Sequence, residues 1–311
     1  MNVSIYLPIA AGSVNLFLLL GLGGLVGFVS GLFGVGGGFL MTPLLIMIGI
    51  PPTVAAASDS NQIVAASASG MYAHYQLGNV DFKMGFILLL GGLAGGGLGV
   101  HLVKMLRSTG NADFVIRITY VAMLGIIGSY MFAESLQSLR KSRAVPRPAS
   151  SAPRVSSLYA RMLGSLPLKM QFNKSGVRVS LLVPVVLGVF VGILSAIMGV
   201  GGGFIMVPVM VYLLRMPMHV VIGTSLFQIF FTCAEVTIMQ AQVNHTVDFI
   251  LALILLVGSS CGAQLGVRMS KRLKGDRLRN CLAILILVVM CQILFGLLFN
   301  PKVLLSYKGG H

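Results

Sequence analysis

The residues in this chain best suited to chemistry are glycines. Gly34-Val35-Gly36-Gly37-Gly38-Phe39 returns as Gly199-Val200-Gly201-Gly202-Gly203-Phe204. Three consecutive glycines break a helix, because glycine loses more conformational freedom on ordering than any other residue. Each run stands between a long apolar segment and a half-length one, so a helix must stop before it and restart after it. A restarting helix presents free backbone N–H groups and the positive end of its dipole. That combination holds an anion without help from lysine or arginine, and the central parts of the apolar segments carry neither. Gly36, Gly37, Gly38, Gly201, Gly202 and Gly203 are therefore candidate ligand contacts. The plainer alternative is a tight turn whose glycines only permit close packing. A phosphate-binding P-loop is excluded because no Lys-Ser/Thr follows, and a dinucleotide turn by the spacing.

A second constellation follows each run. Ser58, Asp59, Ser60, Asn61 and Gln62 form a polar patch in an apolar setting, answered in the second copy by Thr224, Ser225 and Gln228. Hydroxyl and amide donors suit an oxyanion that accepts hydrogen bonds, although serine and threonine also bond their own helix. Asp59 and Glu235 are acids within apolar segments, where a charge is expensive, and are candidates for carrying a proton or pairing with a cation. Asp59 aligns with Ser225, so that role is not shared by the two copies. Asp81 and Asp248 do align, each at the start of a segment, where an N-cap is expected. His74, His101, His219 and His245 lie near segment ends, and Cys233, Cys261, Cys281 and Cys291 show no CxxC spacing. No metal site, cofactor or catalytic set is expected, so the chain is not read as an enzyme.

The elements that must position these groups are membrane helices. Hydrophobic residues make up 56% of the 311, charged residues 9%, and mean hydropathy is +0.94. A soluble domain carries about 25% charge, so this apolar surface can only face lipid. Ten apolar segments are expected at 14–33, 39–49, 53–73, 82–103, 115–134, 180–198, 204–214, 217–241, 249–270 and 280–299. Two of them fall well short of the ~20 residues that cross a bilayer. The duplication extends beyond glycine. Pro51, Gln62 and Ile63 are answered by Pro217, Gln228 and Ile229, Val80-Asp81-Phe82 by Val247-Asp248-Phe249, and Gly91, Gly95 and Gly99 by Gly258, Gly262 and Gly266. The fold class is all-α: a polytopic membrane protein of two homologous halves, each with four long helices and one half-helix after its GVGGG break. Residues 1–134 and 180–311 are the two repeats, joined by a basic linker over 135–179, and the first apolar run is expected to be a retained span. A short amphipathic stretch around Leu158–Leu166 is an alternative to a plain linker.

Net charge is +15, but the basic residues lie between apolar segments, which is a topology signal and not a nucleic-acid surface. The linker carries nine from Arg140 to Arg178 with no acid, and the 268–279 loop carries six against Asp276. The loop from Lys104 to Arg117 holds three against Asp113. Odd numbers of passes per half invert the repeats and place the linker and the 268–279 loop together in the cytoplasm; even numbers leave the halves parallel. The inverted arrangement gives the charge bias a direction and is the expectation.

The doubled GVGGGF(L/I)M(T/V)P, the proline turn, the polar helix with Gln62 or Gln228, the VDF segment and the glycine ladder together resemble the TauE/SafE family of membrane transporters, also called the sulfite exporter family. The resemblance covers the chain outside the linker. It implies a multi-pass inner-membrane carrier for small sulfur-containing anions such as sulfite, sulfoacetate or other organosulfonates, working in the lipid bilayer, with a homo-oligomer left open. An anion channel of the same architecture is the alternative, and saturation of flux separates the two.

Overall fold

The computed structural model describes residues 4–10, 12–142, 168–172, 174–270 and 272, with isolated positions 281, 284, 285, 288 and 291. Apolar segments of helical length bury their backbone polar groups internally, as lipid requires. The first half contains α1 (Leu16–Phe33), α2 (Gly38–Met47), α3 (Pro52–Gln76), α4 (Phe82–Ser108) and α5 (Ala112–Ser142). The second contains α6 (Leu182–Met198), α7 (Gly203–Leu213, π-wound from Val209), α8 (Met218–Met239, continued by a π-turn to Asn244) and α9 (Phe249–Ser270). The tenth expected segment, 280–299, the central linker and its amphipathic alternative lie outside the described residues, apart from scattered positions.

Among the described residues, α1, α4, α5, α8 and α9 are long and apolar enough to cross a membrane. Helix α3 is long enough, at 25 residues, but its serines, Asp59, Asn61 and Gln62 lower its hydropathy. It tolerates them because Ser58, Asp59, Ser60 and Gln62 are buried in protein and do not face lipid.

Glycine decides which helices touch. A Cβ at Gly27 or Gly31 of α1 would lie 2.2 Å from the Ser259 carbonyl oxygen or 2.1 Å from that of Ala263 in α9. The second ladder does the same between α4 and α6: a Cβ at Gly91 would meet the Val185 oxygen at 2.2 Å, and one at Gly95 the Val189 oxygen at 2.1 Å. Only backbone on backbone fits at these distances. The contacts advance in the same order along both members of each pair, so α1 runs parallel to α9 and α4 parallel to α6.

Two antiparallel hairpins, which hydropathy did not reveal, precede the glycine-broken units. Strands β1 (Ser4–Leu7) and β2 (Gly12–Asn15) lead into α1; β3 (Lys169–Phe172) and β4 (Val177–Ser180), at the end of the stretch read as linker, lead into α6. Each is held by the other half. Asp248 caps α9 by accepting from the Leu251 N–H with Oδ1 (3.2 Å), while its Oδ2 accepts from the N–H groups of Ile9 (3.0 Å) and Ala10 (3.4 Å). Asp81 caps α4 through the Met84 N–H (3.2 Å), and its Oδ2 accepts from the Ser175 N–H (3.2 Å) and hydroxyl. The expected N-caps are present, and each carboxylate has a second task across the halves.

Candidate functional site

The two glycine breaks meet inside the protein. Gly34 and Gly199 end α1 and α6 in the left-handed conformation (φ 71° for both), their N–H groups donating back to the Ser30 and Ser195 carbonyls at 2.8 Å. Gly37 (φ 83°) and Gly202 (φ 71°) then start α2 and α7. A residue with a Cβ is strained at these angles, so glycine is required here by backbone conformation as well as by space. A Cβ on Gly38 would lie 2.7 Å from the Val200 Cα, and one on Gly203 would lie 2.2 Å from the Val35 oxygen, so each restart abuts the other break. Ile63 and Ile229, the residues after the two glutamines, pack over both.

No side chain caps either restart. The first hydrogen bonds of α2 run from the Leu40 and Met41 N–H groups to the Gly37 carbonyl, and those of α7 from Ile205 and Met206 to Gly202. The N–H groups of Gly38, Phe39, Gly203 and Phe204 thus donate to no protein acceptor, and all four residues are buried. Buried donors are nearly always paired, so four unpaired ones together make this a candidate ligand site. Helices α1, α2, α3, α6, α7 and α8 carry no lysine or arginine, and Arg117 of α5, one turn before Tyr120, has its Nε buried without a partner.

The polar side chains divide into those already engaged and those still open. The Ser58 hydroxyl accepts from the Asp248 N–H (3.2 Å) and that of Thr224 from the Asp81 N–H (3.0 Å), tying α3 and α8 to the capping loops. Ser60 donates to the Ala56 carbonyl of its own helix (3.2 Å), and Ser225 to the Gly34 carbonyl (2.8 Å). Asn61 is part-exposed. Gln62 is fully buried with neither amide atom bonded; Gln228 donates from Nε2 to Thr232 (2.9 Å) and leaves Oε1 open. Asp59 is fully buried, accepts from the Thr42 N–H (3.1 Å) and hydroxyl (2.7 Å) with Oδ2, and has no partner for Oδ1. Glu235 lies apart on α8, half-buried against Gly96 of α4, with Oε2 unpartnered.

Sequence reasoning missed four residues here. The buried, unpartnered hydroxyls of Ser30 and Ser195 stand one helical turn before the breaks, and the repeat itself could have found them, since each precedes its GVGGG by the same four positions. Thr42 and Tyr120 carry no such signal. Thr42 is matched by Val207, and Tyr120 comes from α5 to donate to the Met198 carbonyl (2.7 Å) and lie 3.4 Å from that of Gly38, bridging the two breaks. Among the described residues no group of histidine, cysteine and carboxylate could hold a metal ion.

Five helices long and apolar enough to cross a membrane, packed about doubled helix breaks, define the class: a multi-pass membrane protein. The family model described as Sulfite exporter TauE/SafE matches residues 19–293. The chain is 25% identical over 295 residues to the probable membrane transporter protein YunE of Bacillus subtilis, covering 92% of this chain and all of that one. It is 28% identical to the probable membrane transporter protein YjnA of the same organism, over 89% of this chain and 97% of that protein. A shorter match, 33% identical over 95 residues, or 30% of this chain and 20% of the other, is to Sulfite exporter TauE/SafE family protein 3 of Arabidopsis thaliana. No solved structure matches significantly. The chain belongs to the TauE/SafE sulfite exporter family of membrane transporters.

Proposed function

We propose that this protein is a secondary transporter of the inner membrane for small sulfur-containing oxyanions, sulfite or organosulfonates, held between the two glycine breaks. The observation that carries the reading is the set of four unpaired N–H groups of the buried residues Gly38, Phe39, Gly203 and Phe204, on helices that carry no lysine or arginine. A sulfite or sulfonate group presents three acceptor oxygens and can take donors from two helix ends at once. Gln62, Ser30 and Ser195 add open side-chain donors around the breaks, while Gln228 donates to Thr232 and keeps only its Oε1 open. Dipoles of the two helix ends hold the anion tightly enough to select it and loosely enough to release it.

The parallel pairing of α1 with α9 and of α4 with α6 supports two halves of inverted topology. Asp248 and the first hairpin then share one face with the α4–α5 turn, while Asp81, the second hairpin and the end of α9 share the other. Two breaks approached from opposite faces suit alternating access to one central site. The deciding measurement is binding of sulfite, thiosulfate, sulfoacetate and taurine to the purified protein, followed by flux in proteoliposomes. Saturable, counter-ion-dependent flux of one of these supports the carrier; flux rising linearly with concentration identifies a channel, and no binding of any of them overturns the substrate class.

A further inference from the structure

Two nearly equivalent half-sites differ in one ionisable group, and that difference carries a mechanism. Asp59 stands beside the start of α2: a Cβ at Gly38 would lie 3.0 Å from its Oδ2. Its counterpart in the second half is Ser225, whose hydroxyl is spent on the Gly34 carbonyl, and the counterpart of Thr42 is Val207. The first half-site therefore holds a buried carboxyl at the same helix end that is to hold an anion, and the second holds none.

We propose that Asp59 is the proton site of this transporter, and that one proton and one anion are taken up together and carried in the same direction. The inference rests on the anion site described above. Thr42 donates both its N–H and its hydroxyl to Oδ2, so Oδ2 is the accepting oxygen and the proton resides on Oδ1, the oxygen without a partner. Unprotonated, the carboxylate competes with the substrate for the positive end of α2. Protonated, it is neutral and offers Oδ1–H to a substrate oxygen. Binding of either ligand then favours the other by the same factor, which is the thermodynamic condition for co-transport. The proton enters from water with the anion and returns to water with it on the opposite face.

The surroundings suit a proton better than a metal cation. Helices α1 and α2 contain no ionisable residue; α9 contributes Cys261, which is exposed, and Arg268 near its far end. From α8 comes Cys233 and from α5 Tyr120, both buried and close enough to feel the charge of Asp59. On the same helix as Tyr120, Asp113 accepts from the Thr53 N–H, and Arg117, one turn before Tyr120, has its Nε buried without a partner. Among the described residues no group of three or more histidine, cysteine and carboxylate side chains could hold a metal ion, and Glu235 sits against Gly96 of α4.

The test is calorimetric binding of methanesulfonate, which stays ionised across the pH range, in buffers of different ionisation enthalpy. The wild type takes up one proton per anion, and above the pH where the carboxyl titrates its Kd rises tenfold per pH unit. Asp59→Asn takes up none and its Kd is flat with pH, while Glu235→Gln still takes up one. Thr42→Val, which keeps the carboxyl but removes one donor, still takes up one proton with its break point moved along the pH axis. Binding without proton uptake in the wild type, uptake that persists in Asp59→Asn, or an unmoved break point in Thr42→Val overturns the assignment while leaving the anion site standing. Failure of every sulfur oxyanion to bind overturns both.

Discussion

Replacing Gln62 with leucine should make the empty protein more stable and the loaded protein worse at its task. Both amide atoms of Gln62 are buried and unbonded, and each such group costs about 1–3 kcal/mol relative to a paired one. Leucine fills a similar volume and removes both, so Gln62→Leu should gain about 2 kcal/mol against denaturant in the absence of ligand. Gln228→Leu is the internal comparison. It removes one open oxygen but leaves the Thr232 hydroxyl without its 2.9 Å partner, so its stability should change by less than about 1 kcal/mol. On the binding side, loss of one buried hydrogen bond weakens affinity roughly 5- to 150-fold. Ligand at a hundred times the wild-type Kd stabilises the wild type by about 2.7 kcal/mol and Gln62→Leu by only about 0.3–1.8 kcal/mol. Denaturant unfolding in micelles followed by circular dichroism, with and without anion, measures both effects in one series. A Gln62→Leu protein that is destabilised by more than about 1 kcal/mol yet gains the full ligand increment would refute the reasoning, because the amide would then be a structural group with partners of its own.

Three further outcomes follow from the packing. Gly95→Ala should cost about 1–3 kcal/mol, since its Cβ would lie 2.1 Å from the Val189 oxygen, whereas Gly21→Ala, with nothing within 4 Å, should be neutral or gain up to about 1 kcal/mol; equal unfolding midpoints would refute the backbone contact. Asp248→Ala should release the β1–β2 hairpin and Asp81→Ala the β3–β4 hairpin, each costing about 1–2 kcal/mol for the lost cap and exposing only its own hairpin to protease. For topology, the exposed Asn111 and Lys174 should lie on opposite faces, so in a cysteine-free background an impermeant thiol reagent added outside should modify Asn111→Cys and not Lys174→Cys; modification of both would remove the inverted arrangement.

Much of the architecture is written in periodicity and repetition, which need no partner to be read. All nine apolar segments that fall within the described residues are helices, the glycine ladders mark the helices that meet, and the doubled GVGGG marks the places where helix stops and restarts. These are local properties: hydropathy reflects transfer of each residue to lipid, and the breaks follow from glycine's own backbone freedom. The hairpins escaped because eight residues of paired strand leave almost no hydropathy signal, and their anchors, Asp81 and Asp248, are distant in sequence.

Which polar groups stay open was decided only by tertiary structure. Ser58, Asp59, Ser60 and Gln62 look alike in the sequence as neighbours on one polar helix. Packing then gives Ser58 to the loop of Asp248 and Ser60 to its own backbone, leaves one oxygen of Asp59 to Thr42 and the other to nothing, and leaves Gln62 with no partner at all. Residue type determines what a side chain can donate or accept, whereas only the approach of another helix determines whether a partner already stands within about 3 Å. Tyr120 shows this most plainly: nothing near it in the chain marks it, and it reaches both glycine breaks because α5 packs where the halves meet.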